Sequence, residues 1–245
     1  MISHVVIDIE GTTSATSFVA DRLFPYSAER LAQWIATHQL DPVTQRAINQ
    51  VREITDEPSA GLDRVTATLL GWLESDQKIT PLKTLQGLIW EQGFADGDLV
   101  AHFYPDAVPA LRAWKSAGYD LCVFSSGSVA AQRAWFANSA DGDLRPMISV
   151  YFDTENAGPK RESSAYWRIA NAINVIPAQI VFLSDVVAEL DAARDAGWHT
   201  AGVRRPGEKY YSYGVGTHLE VSSLSELNLS GDRPMISASG IRDNT

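Results

Sequence analysis

Two carboxylates stand close together near the start of the chain. The apolar stretch Val5-Val6-Ile7 runs into Asp8-Ile9-Glu10-Gly11-Thr12-Thr13. Side chains two apart in an extended segment point the same way, so Asp8 and Glu10 can face one site. Such a pair suits a nucleophilic aspartate with a neighbouring acid/base or metal-binding acid. The same residues also suit a plain turn capped by Asp8. A second apolar run ends in Phe124-Ser125-Ser126-Gly127-Ser128. Small hydroxyl residues and glycine entering a helix can seat a phosphoryl group on backbone N–H and O–H donors; they also make an ordinary helix start. Lys160, in Gly158-Pro159-Lys160, can neutralise phosphoryl oxygens beside the carboxylates, though a loop lysine also serves as a solvated surface charge. A later apolar run delivers Leu183-Ser184-Asp185, with Glu189 four residues on. Asp185 can ligate Mg²⁺, which takes one or two carboxylates and keeps several waters, or cap the next helix with Ser184.

These residues need a scaffold that brings distant positions together. Five apolar runs, His4–Ile7, Tyr119–Phe124, Val150–Phe152, Ile180–Leu183 and His199–Val203, read as strands buried on both faces. Helical spacing predicts helices over Asp106–Ala117, Ser128–Ala137, Ser163–Ile173 and Val187–Ala196. Alternating strands and helices predict an α/β fold, a doubly wound parallel sheet with Rossmann-like connections. Such sheets gather ligands at the carboxyl ends of their strands, where Asp8, Ser125 and Asp185 fall.

The rhythm breaks between residues 18 and 100. Four amphipathic patterns, Asp21–His38, Pro42–Ile54, Val65–Ser75 and Leu82–Gln92, predict an all-helical cap inserted after the first strand. Residues 1–17 and 101–245 form the α/β core in this reading, and 18–100 the cap, standing over the strand ends. Aromatic residues of the insertion (Phe18, Phe24, Tyr26, Trp72, Trp90) serve its helical core or line a ligand tail. Beyond Val203, Leu219–Leu227 offers a short strand and a helical turn, and the last dozen residues are expected to fray.

Composition bounds the partners. The 245 residues are 45% hydrophobic and 20% charged, with 20 Lys+Arg against 30 Asp+Glu and a formal net charge of −10. That charge argues against nucleic acid and anionic membrane as partners, and an anionic substrate would need a local cationic site. One cysteine, Cys122, excludes an intrachain disulfide and a cysteine-based zinc site. The five histidines are scattered without ligand spacing. No apolar run reaches the ~18 residues of a membrane span, and Met1-Ile2-Ser3-His4 lacks the basic start of a signal peptide. A reducing, cytoplasmic compartment is expected.

Asp, Ser, Lys and Asp in this chain order resemble the haloacid dehalogenase-like phosphohydrolases. The resemblance implies that Asp8 attacks phosphorus and Glu10 assists, where most members carry Asp. It implies that Ser125 or Ser126, Gly127 and Lys160 hold the phosphoryl group. Asp8, Glu10 (by side chain or main-chain carbonyl) and Asp185 would bind one Mg²⁺ per chain, with Glu189 orienting the metal shell.

Further segments narrow the likeness. They are Asp8–Ser14, Ser17-Phe18-Val19, Leu23-Phe24-Pro25-Tyr26, Leu85-Gln86-Gly87-Leu88-Ile89-Trp90, Tyr104-Pro105-Asp106-Ala107, Phe152-Asp153-Thr154 and Phe182–Val186. Together these resemble the enolase-phosphatases (acireductone synthases) of methionine salvage. That family implies a soluble monomer acting on a small-molecule phosphate ester, 2,3-diketo-5-methylthiopentyl-1-phosphate. The ester is enolised and then hydrolysed to the acireductone, with a base the sequence does not identify. The rival readings are a superfamily phosphatase for sugar or nucleotide phosphates, and a non-catalytic phospho-ligand module.

Overall fold

The computed structural model describes residues 1–75, 77 and 79–237. Its contacts divide the chain into two compact units: Met1–Thr16 with everything from Ala101 onward, and Ser17–Val100.

In chain order, β1 (His4–Ile7) leads through the single turn α1 (Thr16–Phe18) and a π turn (Val19–Leu23) to α2 (Phe24–His38), α3 (Pro42–Ile54), α4 (Leu62–Glu74) and α5 (Thr80–Ala95). Then follow α6 (Ala107–Ser116), β2 (Asp120–Phe124), α7 (Val129–Ala137), β3 (Ile148–Phe152), α8 (Ser163–Ile173), β4 (Ile180–Ser184), α9 (Val187–Asp195) and β5 (His199–Val203). Three short strands close the chain: β6 (Leu219–Val221), β7 (Leu227–Asn228) and β8 (Met235–Ile236). The fraying expected of the last dozen residues does not hold for Met235–Ile236, which pairs antiparallel with Leu227–Asn228. From residue 238 on, that expectation lies outside the described residues.

The larger unit is a doubly wound α/β sheet. Six strands lie in the order β3-β2-β1-β4-β5-β6, every neighbouring pair parallel. The chain winds outward from β1 to β3 and then returns to lay β4 beside β1. That return is the topological switch point, where open α/β sheets form a crevice. Strand residues are buried on both faces because helices cover both. On one face Val6, Cys122, Phe124 and Phe182 pack with Ala165, Tyr166 and Ile169 of α8 and Leu190 and Ala193 of α9. The alternate residues Val5, Ile7, Leu121, Val123, Val181 and Leu183 are just as buried, as a two-residue period requires. The edge strand β3 starts two residues before the expected Val150, because the exposed, polar Ser149 separates Ile148 from the rest of its apolar pattern.

Register then places the chemistry. Ile7 pairs with Val123 on one side and Leu183 on the other, so the next residues, Asp8, Phe124 and Ser184, end adjacent strands. Phe124 pairs with Phe152, which sets Ser125 level with Asp153 at the same edge.

The smaller unit is all-helical. Leu31 and Ile35 of α2, Ala47, Ile48 and Val51 of α3, Val65 and Leu69 of α4, and Leu82, Leu85 and Ile89 of α5 form its core at i, i+3 and i+4 spacing. Asp41 caps α3, accepting from the N–H groups of Val43 (2.9 Å) and Thr44 (3.0 Å), with Pro42 in the first turn. The helix expected from Asp21 instead changes register ahead of Pro25. Proline has no N–H to return four residues, and the Phe24 N–H reaches back five, to Val19.

Candidate active site

Asp8 leaves β1 buried, with its main-chain N–H still donating to Leu183 of β4 at 3.0 Å. Its Oδ1 accepts from the Ile9 N–H at 2.8 Å and meets Lys160 Nζ at 2.7 Å. Its Oδ2 is less engaged, receiving a long 3.4 Å bond from the Ser184 hydroxyl. The turn that follows is tight. Gly11 has φ +72°, and a Cβ there would overlap the Asp185 carboxylate. A side chain at Gly11 and an acid at Asp185 are therefore incompatible, which accounts for the glycine.

Lys160 is 6% exposed, although it comes from the loop between β3 and α8. Three features carry it inward. Gly158 takes φ +109°, and its Cα faces Arg168, whose guanidinium holds the Ala157 carbonyl at 2.7 Å. The Tyr166 hydroxyl donates to the Lys160 carbonyl at 2.7 Å. The ammonium then closes on both Asp8 and Glu189, at 2.7 Å each. Burial disfavours the ammonium, yet those two carboxylates outweigh it and hold the Lys160 pKa above the ordinary lysine value.

Glu189 and Asp185 reach the same place from the β4–α9 junction. Glu189 accepts from Ser184 Oγ at 3.0 Å, and that Oγ accepts from the Val186 N–H at 3.1 Å. Burial, then the charge of Asp8, push Glu189 up to about 7, against the pull of Lys160 and Ser184. Burial, then Asp8 and Glu189, push Asp185 up to about 8. Fields of this strength between buried groups are a mark of functional sites.

The structure thus gathers Asp8, Lys160, Asp185 and Glu189 into one buried cluster. Ser125 is buried one residue beyond the end of β2, while Ser126 is exposed and Gly127 half-buried. Ser125 Oγ accepts from the Gly127 N–H at 3.2 Å, leaving its own proton to donate. Glu10 is exposed, unlike Asp8, and its backbone bridges to Ser14. Sequence reasoning assigned Glu189 to the metal shell; its close partners here are Lys160 and Ser184. It also overlooked the Ser184 hydroxyl as a link between Asp8 and Glu189, because a serine before a helix reads as a cap.

With all three carboxylates ionised, one ammonium leaves two negative charges, which one divalent cation would balance; without it, the raised pKa values of Asp185 and Glu189 favour their protonated forms. All the donors are hard oxygens, which suit Mg²⁺. Among the described residues no three His, Cys, Asp or Glu side chains group to hold a metal on their own. A site for an ion that keeps several waters and shares substrate oxygens has no need of such a cage.

Comparison with known proteins gives the family of the chain. Residues 2–197 match the sequence model of the haloacid dehalogenase-like hydrolases. Enolase-phosphatase E1 of Streptomyces avermitilis is 56% identical over 228 residues, covering 93% of this chain and 95% of that protein. Its namesake from Saccharopolyspora erythraea is 50% identical over 227 residues, covering 92% and 95%. The crystal structure of the UTR4 protein from Saccharomyces cerevisiae superposes with a TM-score of 0.76 at 29% identity, covering 91% of this chain and 98% of that one. The chain belongs to the haloacid dehalogenase-like hydrolases and, within them, to the enolase-phosphatase E1 family.

Proposed function

We infer that the protein is an enolase-phosphatase. It converts 2,3-diketo-5-methylthiopentyl-1-phosphate, through its enol phosphate, to 1,2-dihydroxy-3-keto-5-methylthiopentene and inorganic phosphate. The observation that carries the chemistry is the doubly anchored lysine: Lys160 lies 2.7 Å from both Asp8 and Glu189 in a buried cluster at the sheet's switch point. The likeness to the E1 relatives over nearly the whole chain supports the substrate.

In this reading Asp8 is the nucleophile. Oδ1 is tied to Lys160 and the Ile9 N–H, so Oδ2 is the oxygen directed at phosphorus. Attack forms an aspartyl phosphate and expels the enol, whose oxygen carries charge conjugated with the neighbouring ketone. Water then cleaves the acyl phosphate and regenerates Asp8. Lys160 and the Ser125 hydroxyl hold the equatorial phosphoryl oxygens, with Ser126 and Gly127 beside them. Glu189 keeps Lys160 charged and aimed.

Asp8, Glu10 and Asp185 are the residues assigned to one Mg²⁺. When bound, that ion supplies positive charge against the phosphoryl oxygens and the developing enolate. The proposal includes a cytoplasmic monomer in which Ser17–Val100 is a separate helical unit. Among the described residues no helix is long and apolar enough to cross a membrane.

Incubation with the diketone phosphate and Mg²⁺ tests this reading. Stoichiometric phosphate and a transient enol absorbance are expected, with EDTA abolishing both. Comparable kcat/KM on common sugar phosphates would favour the plain phosphatase instead. No phosphate release from any ester would leave a binding module.

A further inference from the structure

The loop Ser125–Ser128 carries the phosphate donors proposed above, and alternate residues of its backbone are pinned to the end of β3. The Ser125 N–H donates to the Phe152 carbonyl at 3.2 Å. The Gly127 carbonyl accepts from Gln132 Nε2 at 2.7 Å, and the same amide donates to the Phe152 carbonyl at 2.8 Å. The Val129 N–H, opening α7, donates to Asp153 Oδ2 at 2.9 Å. Asp153 Oδ1 meanwhile accepts from the N–H groups of Glu155 and Asn156, both at 2.9 Å. Between these fixed points Ser126 is exposed.

Gln132 and Asp153 are 2% and 5% exposed. The glutamine is only half satisfied. Its Oε1 is buried with no hydrogen-bond partner among the described residues, and a buried acceptor left unpaired is destabilising. An apolar side chain of equal length would avoid that cost but would strip the Gly127 carbonyl of its amide partner. What only the amide provides is two donors on one planar group, joining the loop carbonyl of Gly127 to the strand carbonyl of Phe152.

We propose that Gln132 and Asp153 are positioning residues that fix the Ser125–Gly127 loop in its phosphate-binding shape. The proposal rests on reading that loop as the phosphate seat. A loop held at alternate residues presents Ser125 Oγ and the neighbouring amides already ordered, so phosphate meets a formed site. Substituting either residue should weaken phosphate more than it alters the fold.

The test compares Gln132→Met, Asp153→Asn and Asp153→Ala with the parent. It uses calorimetric titration with inorganic phosphate in saturating Mg²⁺, thermal melts, and kcat and KM on the phosphate ester. Gln132→Met removes both donors at constant length. Asp153→Asn keeps the Oδ1 acceptor for Glu155 and Asn156 but turns an NH₂ toward the Val129 N–H; alanine removes both acceptors. Phosphate affinity is expected to fall at least fivefold in Gln132→Met. It should fall in the order parent, Asn, Ala at position 153. KM should rise more than kcat falls, and Mg²⁺ affinity should stay within twofold. Cooperative variants whose phosphate affinity and KM stay within twofold of the parent would overturn the proposal. If Gln132→Met does not fold, Asp153→Asn decides alone. If the parent binds phosphate but ignores the diketone ester, the proposed substrate falls while the titrations still decide the brace. A parent that binds no phosphate sinks both.

Discussion

Lys160 Nζ lies 2.7 Å from Glu189 Oε2, and the same ammonium lies 2.7 Å from Asp8 Oδ1. All three side chains are buried. One cation thus couples the proposed nucleophile to an acid on another element, and the first prediction follows from that coupling. Glu189→Gln keeps the length and removes the charge, so Lys160 is held by Asp8 alone. kcat/KM is expected to fall about tenfold, about 1.4 kcal/mol of transition-state stabilisation, with the melting temperature little changed. Lys160→Met instead leaves three buried acids without a cation, and breaking a buried pair costs about 3–5 kcal/mol. A melt of the Mg²⁺-depleted protein should show that loss. Parental activity in Glu189→Gln would separate Glu189 from the chemistry.

Asp8→Asn replaces the nucleophilic carboxylate by an amide of the same shape. Phosphate release should drop by at least about a thousandfold, roughly 4 kcal/mol, while the variant stays folded and still binds inorganic phosphate. Mass spectrometry of the parent quenched in turnover should find a phosphoryl adduct on the peptide carrying Asp8. An adduct on any other residue would remove Asp8 from this role.

Stability should depend on pH in a direction set by the acids. Asp185 and Glu189 have folded-state pKa values of about 8 and about 7, against ordinary values of 3.8 and 4.5. Their folded forms bind more protons than the unfolded chain, so stability falls as pH rises toward those values. His4 and His102, whose pKa burial lowers from 6.5, act in the opposite sense at lower pH. The clean window is therefore between about pH 6.5 and pH 8. In EDTA the melting temperature should decline across it, and added Mg²⁺ should stabilise more at the upper end. A melting temperature that climbs through this window without metal would contradict the assignment.

Gly11→Ala combines a positive φ with a collision against Asp185. The backbone strain alone costs about 1–3 kcal/mol, and the displaced carboxylate should raise the Mg²⁺ requirement. Asp185→Asn should raise it too, without the backbone strain. Titrating activity with Mg²⁺ in both variants checks this. An unchanged metal requirement in Asp185→Asn would show that Asp185 is no ligand.

Much of the α/β unit was legible because buried parallel strands are written as unbroken apolar runs. Val5–Ile7, Leu121–Phe124 and Ile180–Leu183 each announce a strand and the one or two positions just past it, so Asp8, Ser125 and Asp185 could be placed from sequence. Where the pattern is two-sided only in part, boundaries slipped: Ser149 hid the start of β3. Pro25 was visible, but its effect on helix register is a matter of backbone donors rather than periodicity. The hidden part of the site is its second tier. Gln132 falls three residues before Trp135 on the buried face of α7, but a glutamine there reads as a break in the apolar stripe, and the Ser184 hydroxyl reads as a routine cap. The Phe152 carbonyl and the Asp8 carboxylate become their neighbours only through strand register, and Glu189 only through the turn from β4 into α9.

The bond from Ser184 to Asp8 spans 176 positions of the chain. No fragment that lacks either end of that span, and no early folding species holding only β1 to β3, can contain a working centre. Recovery of turnover after dilution from denaturant should therefore lag behind the return of helix signal and keep time with the docking of β4 against β1.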